Sequence, residues 1–484
     1  MAETAVPTIT RDLSAGGTVD LSRVHFIGVG GTGMLPVARV CAERGFTVSG
    51  SDVRGTEALK ALARLNVRVH TGHAAEHVPA DATAVVFTHA IGPDNPEIRA
   101  ARALGVPVVH QSAVLNALMA AQPKKVAVMG THGKSSTAGM LAFALARLGQ
   151  EPSYVVGADL DVPGSGGHAG QGSFFVAEVD ESDRSHVGMN MDVAVITNIG
   201  YDHPEVYDDE EQVVDVFESG LALGLREGGT AVVGIDSSGG LELASRLIAA
   251  ENGPGVVTFG FSTSADWRLT EVSTKGRGSS AVLVGPGGAG YALDLRTVGG
   301  HQLLNATAAV ITLHVLGQDC GQAVEQLRYF DGVVRRMTPA FEVGGVRVYD
   351  SYAHHPDEVR ADLSAARSVA EEQGRVITVF QPSDAIRLTV FGRRFGEALA
   401  ASDEVVVTGS AQRFAVAGLE TLSARIDAAG GTCRQVEPDR AEAAVLAASL
   451  ARPGDVVVLM GPGDIAEAGQ VLRTVLGNTV GTAV

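Results

Sequence analysis

Short apolar runs alternate along this chain with stretches of helical period. The first run, from Val24, enters Gly28-Val-Gly30-Gly31-Thr-Gly33 and then a helical pattern to about Gly45. A second run, TVSGSD, ends at Asp52. AVVFTHA, a helix from about Pro96, PVVH and SAVLNALMAA follow, until Gln122-Pro123 breaks the pattern. Val126 to Met129 opens a second series that includes FFVAEVDE, VAVITNIG and a helix from about Glu211 to Leu223. SSAVLVGPGGAGYALDL reads as a hairpin, and a helix starts at Gly300. A third series runs VRVYDSY, a helix from about Pro356, VITVFQP, a helix from about Thr389, EVVVTGS, a helix, and DVVVLMGPGD with a last helix. Repeated strand–helix units predict an α/β fold with mostly parallel sheets and right-handed crossovers. Ligands then gather at the carboxyl ends of strands. Gly28, Gly130, Glu178, Asp202, Tyr352 and Gln381 all follow a predicted strand.

The stretch Lys125–Thr137 carries the clearest chemistry. A strand enters Gly130-Thr131-His132-Gly133-Lys134-Ser135-Ser136, and a helix begins. Glycines let backbone N–H groups approach phosphate oxygens, and a helix start favours negative charge. Lys134 would reach the terminal phosphates of a nucleotide, and Ser135 would hold Mg²⁺. The P-loop pattern wants glycine where Val128 stands. A plain glycine-rich turn with a solvated lysine is the other reading.

Glu178-Val-Asp180-Glu181-Ser182-Asp183 places four carboxylates in six residues at a strand end. Side chains alternate along a strand, so Glu178 and Asp180 would share a face. Beside a P-loop, Mg²⁺ is the economical neutraliser; a solvated acidic loop is the alternative. His203 follows another strand end and is either a ligand or a structural imidazole. His354-His355 precede Pro356, and either bind an anion or cap the helix. The first glycine turn, with Asp52 19 residues after Gly33, matches a dinucleotide fingerprint. Such turns bind many phosphates, so nicotinamide chemistry does not follow from it.

Length and composition narrow the classes. At 484 residues, two or three domains are expected. With 45% hydrophobic and 19% charged residues the chain is globular. A net charge of −18 opposes general binding to nucleic acid or an anionic membrane. Three scattered cysteines form no metal spacing or disulfide framework and suit a reducing cytoplasm. No apolar run approaches a membrane span. Residues 1–22 read as a flexible tail without a secretory pattern.

The ordered set HFIGVGGTGM, SGSD, DNPE, GTHGKSST, AEVDESD, TNIGYDH, GGHQLLNATAA, FDGVVRR, DSYAHHPDE and MGPGDI resembles the Mur ligases from about His25 to the C-terminus. The resemblance implies three domains. A Rossmann-like domain, 23–122, binds a UDP-sugar. A central P-loop domain with a mixed sheet, 123–337, binds ATP. A Rossmann-like domain, 338–484, binds the incoming amino acid and closes over the substrates. The implied activity is ADP-forming, ATP-driven amide synthesis for peptidoglycan precursors. An amine such as L-alanine joins the carboxylate of UDP-N-acetylmuramate through an acyl phosphate. The implied cofactors are ATP and Mg²⁺. The implied partners are small molecules, with a monomer or homodimer as the assembly.

Site roles also follow from the resemblance. Gly130, Thr131, His132, Gly133, Lys134, Ser135 and Ser136 would hold ATP phosphates, with Asn305 at adenine and Arg336 at phosphates or the domain junction. Ser135, Glu178 and His203 would ligate Mg²⁺. Gly28, Gly30, Gly31 and Gly33 would cradle the UDP diphosphate, with Asp52 and His89 nearby. Asp180, Glu181, Ser182, Asp183, Tyr352, His354, Asp384 and Arg387 would face the substrates. Lys134, Glu178, His203, His354 and Arg387 would act in catalysis.

The chain departs from the family pattern where substrates bind. The loop Q-P-H-x-x-S-R-T reads Gln381-Pro382-Ser383-Asp384-Ala385-Ile386-Arg387-Leu388, which keeps the arginine and adds an acid. S-S-A-I reads Thr88-His89-Ala90-Ile91. The Y-P-A-x-E stretch is not recognisable around Ser410 to Phe414. A paralogue joining a different carboxylate and amine is therefore the alternative reading.

Overall fold

The computed structural model describes residues 19–162, 164–182, 184–409 and 416–481. Three sheets organise them. The first has five parallel strands in the order Arg68–Thr71, Thr47–Asp52, Arg23–Ile27, Ala84–Phe87, Val108–His110. The second has ten strands. Seven are in parallel register, from Trp267–Ser273 through Gly255–Gly260, Leu225–Gly234, Met191–Ile196, Lys124–Met129 and Phe174–Glu178 to Ser153–Val155. Antiparallel pairs finish both edges. The third runs Arg336–Val343, Val346–Ser351, Val456–Met460, Val376–Phe380, Glu404–Thr408, Cys433–Glu437, antiparallel only at the first pair.

The reason for these strands is visible in their side chains. Val126, Ala127, Val128 and Met129 are wholly buried, as are Val456, Val457 and Val458. Parallel strands covered by helices on both faces read as continuous apolar runs. Each fully buried Val, Leu or Met contributes about 1.5–3 kcal/mol over leaving it exposed. Helices Lys134–Arg147 and Gly300–Val315 pack together over one face of the central sheet, joined by Leu141, Ala144, Ala306 and Val310.

Local signals set the element ends. Asn95 caps the helix Pro96–Ala103, and Asp209 caps Glu210–Gly224. The predicted hairpin is Ser279–Val284 paired with Gly290–Leu295. One helix begins earlier than its pattern predicts. Asp384 accepts the Arg387 N–H, so the helix starts at Ala385 and not near Thr389. The capping side chain supplies a partner for a first-turn donor, which the apolar period alone does not reveal. The strand Phe174–Glu178 ends at Glu178, so alternation does not carry on to Asp180.

The first two domains share one continuous apolar cluster, to which specific polar contacts are added. Arg39 Nη1 donates to the Gly164 carbonyl at 2.6 Å, and Glu43 accepts the Ala169 N–H at 2.8 Å. Gly167 lies against the Pro36 backbone so closely that a Cβ would overlap the Pro36 carbonyl oxygen. Between the second and third sheets, His355 Nε2 meets the Tyr201 carbonyl at 3.2 Å, and Arg387 Nε donates to Asp202 at 2.9 Å. No helix among the described residues is long and apolar enough to cross a membrane.

Gly167→Ala is expected to wedge the first two domains apart and to cost about 1–3 kcal/mol. Thermal denaturation of the variant checks this; an unchanged melting temperature would show that the contact yields freely.

Candidate active site

The site sits where the central strands end. After Met129 the chain turns through Gly130, at φ +123°, and Gly133, at φ +82°. Both lie in the left-handed region that favours glycine. A Cβ at Gly133 would collide with Asn305 Oδ1. The loop is held from behind. Thr197 Oγ1 and Asn198 Nδ2 donate to the His132 carbonyl at 2.6 and 2.8 Å, and Thr131 Oγ1 donates to Gly200 O at 3.1 Å. The helix then starts at Lys134 with no side-chain cap on Gly133. Its first N–H groups are left for a ligand.

Lys134 Nζ donates to Gly130 O at 2.7 Å, Thr131 O at 3.3 Å and Glu181 Oε2 at 2.7 Å. Burial alone would lower the ammonium pKa, but Glu181 and Asp180 outweigh it and push it up. Burial pushes the Glu181 carboxyl up to about 7 against the pull of Lys134. Its Oε1 is buried without a hydrogen-bond partner. Ser135 Oγ donates to Glu178 Oε1 at 2.8 Å, and Gly157 N–H donates to Glu178 Oε2 at 2.5 Å. Arg336 Nη2 reaches Ser135 Oγ at 3.3 Å from the first strand of the third sheet.

The residues expected to hold Mg²⁺ fall into two groups. Ser135 and Glu178 meet each other. His203 meets Asp180 and Glu181, whose ligand atoms all lie within 4.8 Å of one another. Carboxylate and hydroxyl oxygens suit a hard divalent cation, and the unpartnered Glu181 Oε1 fits such a group. His203 has φ +55° and hydrogen-bonds Glu205 at 2.8 Å. Burial would lower its pKa, but Glu205 and Asp202 raise it. Ser182 N–H donates to Asp180 at 3.1 Å. Asp183 lies outside the described residues.

A cavity of about 340 Å³ opens beside the loop. His132, Ser136, Asn305 and Arg336 line its polar side, and Ile199 and Phe259 its apolar side. Asn305 Nδ2 donates to Gln302 Oε1 at 3.3 Å, and Asn305 Oδ1 accepts from Thr137 Oγ1 at 3.3 Å. A cavity with one apolar wall and carboxamides on the other can take a planar heterocycle.

The third domain brings Ala353, Asp357 and Glu358 to this cavity, with Tyr352 and His354 adjoining them in the chain. The Tyr352 ring lies under Arg335 and Arg336, with guanidinium carbons 5.1 and 5.0 Å from its centroid. His354 Nδ1 meets the Tyr352 carbonyl at 3.0 Å, and burial lowers its pKa. His355 is the cap of the helix Pro356–Val369. Arg387 is buried and bonds Asp202 and Asp384 at 2.9 and 3.0 Å, with Nη2 3.1 Å from His203 Nδ1.

The first domain keeps a separate turn. Gly28 has φ +76°, Gly31 N–H donates to Gly28 O, and Gly30 N–H donates to Asp52 Oδ2 at 2.9 Å. Gly33 immediately precedes the helix Met34–Glu43. The His89 ring lies 4.7 Å from that of His110.

Some contributors are missed by sequence reasoning. Glu358 accepts the His354 N–H at 3.0 Å and lies 3.5 Å from His132 Nδ1 and 3.6 Å from Arg336. It sits inside the DSYAHHPDE stretch, which was the available signal. Asp362 accepts from Ser351 at 2.5 Å, and burial pushes it up to about 7. In the first domain Glu97 is wholly buried. It accepts from Ser51 at 2.6 Å and Ala74 N–H at 3.1 Å, and meets His25 and His77 at 3.3 and 3.1 Å. Nothing in a lone Glu inside DNPE announces that four-way contact.

A P-loop, a carboxylate-rich strand end and a third α/β domain reaching across to both define a nucleotide-dependent ligase class. The comparisons are specific within it. The Mur ligase family catalytic domain matches residues 23–123, the Mur ligase middle domain 128–313, and the Mur ligase glutamate ligase domain 335–463. The UDP-N-acetylmuramate–L-alanine ligase of Streptomyces avermitilis is 42% identical over 93% of this chain and 96% of its own length. That of Thermobifida fusca is 41% identical over 94% and 97%. The crystal structure of the UDP-N-acetylmuramate–alanine ligase of Thermotoga maritima superposes with a TM-score of 0.79 at 27% identity, over 94% of this chain and 99% of that one. The chain belongs to the Mur ligase family, and by class it is an ATP-dependent, ADP-forming ligase.

Lys134→Ala is expected to reduce phosphoryl transfer by on the order of 10³-fold, because it removes the positive charge from the loop mouth. Single-turnover transfer from ATP checks it. Glu97 supplies a pH prediction. Burial would raise its carboxyl from 4.5, but bonds from His25 and Ser51 hold it at about 2. Its contribution to stability is therefore present above pH 4.5 and is lost as pH falls toward 2. Glu97→Gln should flatten that acid limb in urea denaturation; an unaltered limb would place the acid sensitivity elsewhere.

Proposed function

We propose that this protein joins L-alanine to the carboxylate of UDP-N-acetylmuramate, converting ATP to ADP and phosphate, as a step of peptidoglycan precursor synthesis in the cytoplasm. Relatives named for that reaction, more than 40% identical over nearly the whole chain, support the substrates. The observation that carries the chemistry is Lys134, held at the loop mouth by Glu181 beside the Ser135–Glu178 pair.

A carboxylate is a poor electrophile. Phosphorylation supplies a leaving group: a sugar carboxylate oxygen attacks the γ-phosphorus, and the bond to ADP breaks. Lys134 turns from Glu181 to the β- and γ-phosphates and balances their charge. The first-turn N–H groups of the helix Lys134–Arg147 and the glycine loop orient the phosphates. Ser135, Glu178, Asp180, Glu181 and His203 would hold Mg²⁺, which supplies charge neutralisation between the phosphoryl oxygens. Asn305 and the apolar wall at Phe259 take the adenine. Arg336 bridges the phosphates to the third domain.

The amine of L-alanine, once deprotonated, then attacks the acyl carbon. The bond from that carbon to the phosphate oxygen breaks, and an amide remains. Arg387 faces the acceptor, with Tyr352 and His354 lining the closed mouth and excluding water. In the first domain, Gly28, Gly30, Gly31 and Gly33 take the diphosphate, with Asp52 fixing the turn and His89 close by. The altered loop Gln381–Leu388 favours a second reading, a paralogue with another amine or carboxylate, because Arg387 already carries two carboxylate partners.

Phosphate release is the test. With ATP, Mg²⁺ and UDP-N-acetylmuramate, release should require L-alanine and yield the matching amide by mass spectrometry. Release with another amine in its place would revise the acceptor, and none with any amine would overturn the donor.

A further inference from the structure

Two imidazoles from different domains meet beside the glycine loop. His132 lies within the loop, and His355 caps the helix Pro356–Val369 of the third domain. Their ring centroids are 4.7 Å apart. Each ring has one nitrogen engaged and the other holding a lone pair. His355 Nε2–H donates to the Tyr201 carbonyl at 3.2 Å, so Nδ1 carries the lone pair. That nitrogen accepts the Asp357 N–H at a long 3.3 Å and lies 3.7 Å from Asp357 Oδ2. A lone pair facing a carboxylate oxygen gains from a cation between them. On His132, Nδ1 lies 3.5 Å from Glu358 Oε1, and Nε2 is buried without a hydrogen-bond partner. Ligand atoms of His132, His355 and Asp357 all lie within 4.8 Å of one another.

The surroundings are those of a metal site. A ligating histidine usually gives its other N–H to a carbonyl or a carboxylate, and a ligating carboxylate is itself hydrogen-bonded. Tyr201 and Glu358 fill the first part, and Arg360 and Arg394 donate to Asp357 at 2.9 and 2.7 Å. Ligation needs neutral imidazole. The His355 side chain is 1% exposed, and burial, with His132 beside it, lowers its pKa.

We propose that His132, His355 and Asp357 form a binding site for a divalent transition metal, with zinc as the fitting ion. Two imidazoles and one carboxylate suit zinc, nickel or copper, whereas Mg²⁺ prefers oxygen ligands. His132 and Asp357 line the cavity beside the loop, which gives the ion an entrance. Because the ligands come from two domains, the bound ion is a clamp. It fixes the third domain against the glycine loop and slows the opening that turnover requires. Binding follows from the geometry; the effect on turnover rests on the ligase reading above.

Zinc titration of the full chain against a chromophoric chelator, in excess Mg²⁺, tests the site. His355→Asn removes the imidazole and keeps a capping oxygen for the helix. Asp357→Asn removes the carboxylate charge at nearly the same shape. Each should weaken the tightest zinc site by on the order of 100-fold, since losing a supporting residue alone costs about 10–100-fold. His203→Asn, in the cluster with Asp180 and Glu181, should leave that site in place. Equal zinc binding by the parent and both variants overturns the site, as does a loss seen only in His203→Asn. Inhibition is the second readout. Without zinc, His355→Asn should release phosphate like the parent; with zinc, it should resist inhibition by a similar factor. Equal inhibition of the two overturns the clamp. A parent chain that releases no phosphate with ATP, UDP-N-acetylmuramate and any amine overturns the ligase reading, while the zinc titration still decides the site.

Discussion

The buried ammonium of Lys134 is the constraint on which the rest of the active site depends. Its side chain is only 14% exposed and reaches the acidic stretch that begins at Glu178. A buried charge without a partner is costly, and removing one member of such a pair typically costs about 3–5 kcal/mol. Glu181 answers it directly at 2.7 Å, and Tyr207 in turn holds the Glu181 carbonyl at 2.6 Å. The glycine turn, the strand end at Glu178 and the loop carrying His203 are thus tied to one cation. In the proposed reaction, a ligand that brings its own negative charge to Lys134 would release Glu181. The resting arrangement is already paired for an exchange of partners rather than for the creation of a charge.

The third domain completes the site through charged reach. Arg336 arrives at Ser135, Glu358 at His132, and Arg387 at Asp202. These are hydrogen-bonded and ionic contacts between bodies that each have their own apolar core. Val298 and Tyr201 of the central domain also pack into the third domain's apolar cluster, with the Tyr201 ring against Phe391, and the charged contacts give that junction direction. The first domain joins differently. Backbone contacts at Gly164, Gly167 and Ala169 hold it through the helix Met34–Glu43.

Much of this was legible in the chain. Apolar runs marked the buried strands because strands covered on both faces have no polar side to show. Gly130 and Gly133 marked the loop because positive φ and close approach both demand glycine there. The carboxylates after Phe174–Phe175 called for a neutraliser, and Lys134 supplies one at Glu181. The helix before Thr389 was less legible, since a cap at Asp384 leaves no trace in the apolar period.

Sequence alone determined the α/β alternation, the glycine turn at Gly130–Gly133 and the family, because each rests on local spacing along strands and the helices after them. Tertiary structure decided the partners. Glu181 rather than Glu178 takes Lys134, His203 joins Asp180 and Glu181, Glu97 gathers His25 and Ser51 from two strands and His77 from a short helical turn, and Arg387 is divided between Asp202 and Asp384. These pairings join residues between 3 and 185 positions apart. Spacing says which side chains are available; only the packing of strand ends and domains sets which charges lie within 3 Å, and electrostatic energy depends on that distance.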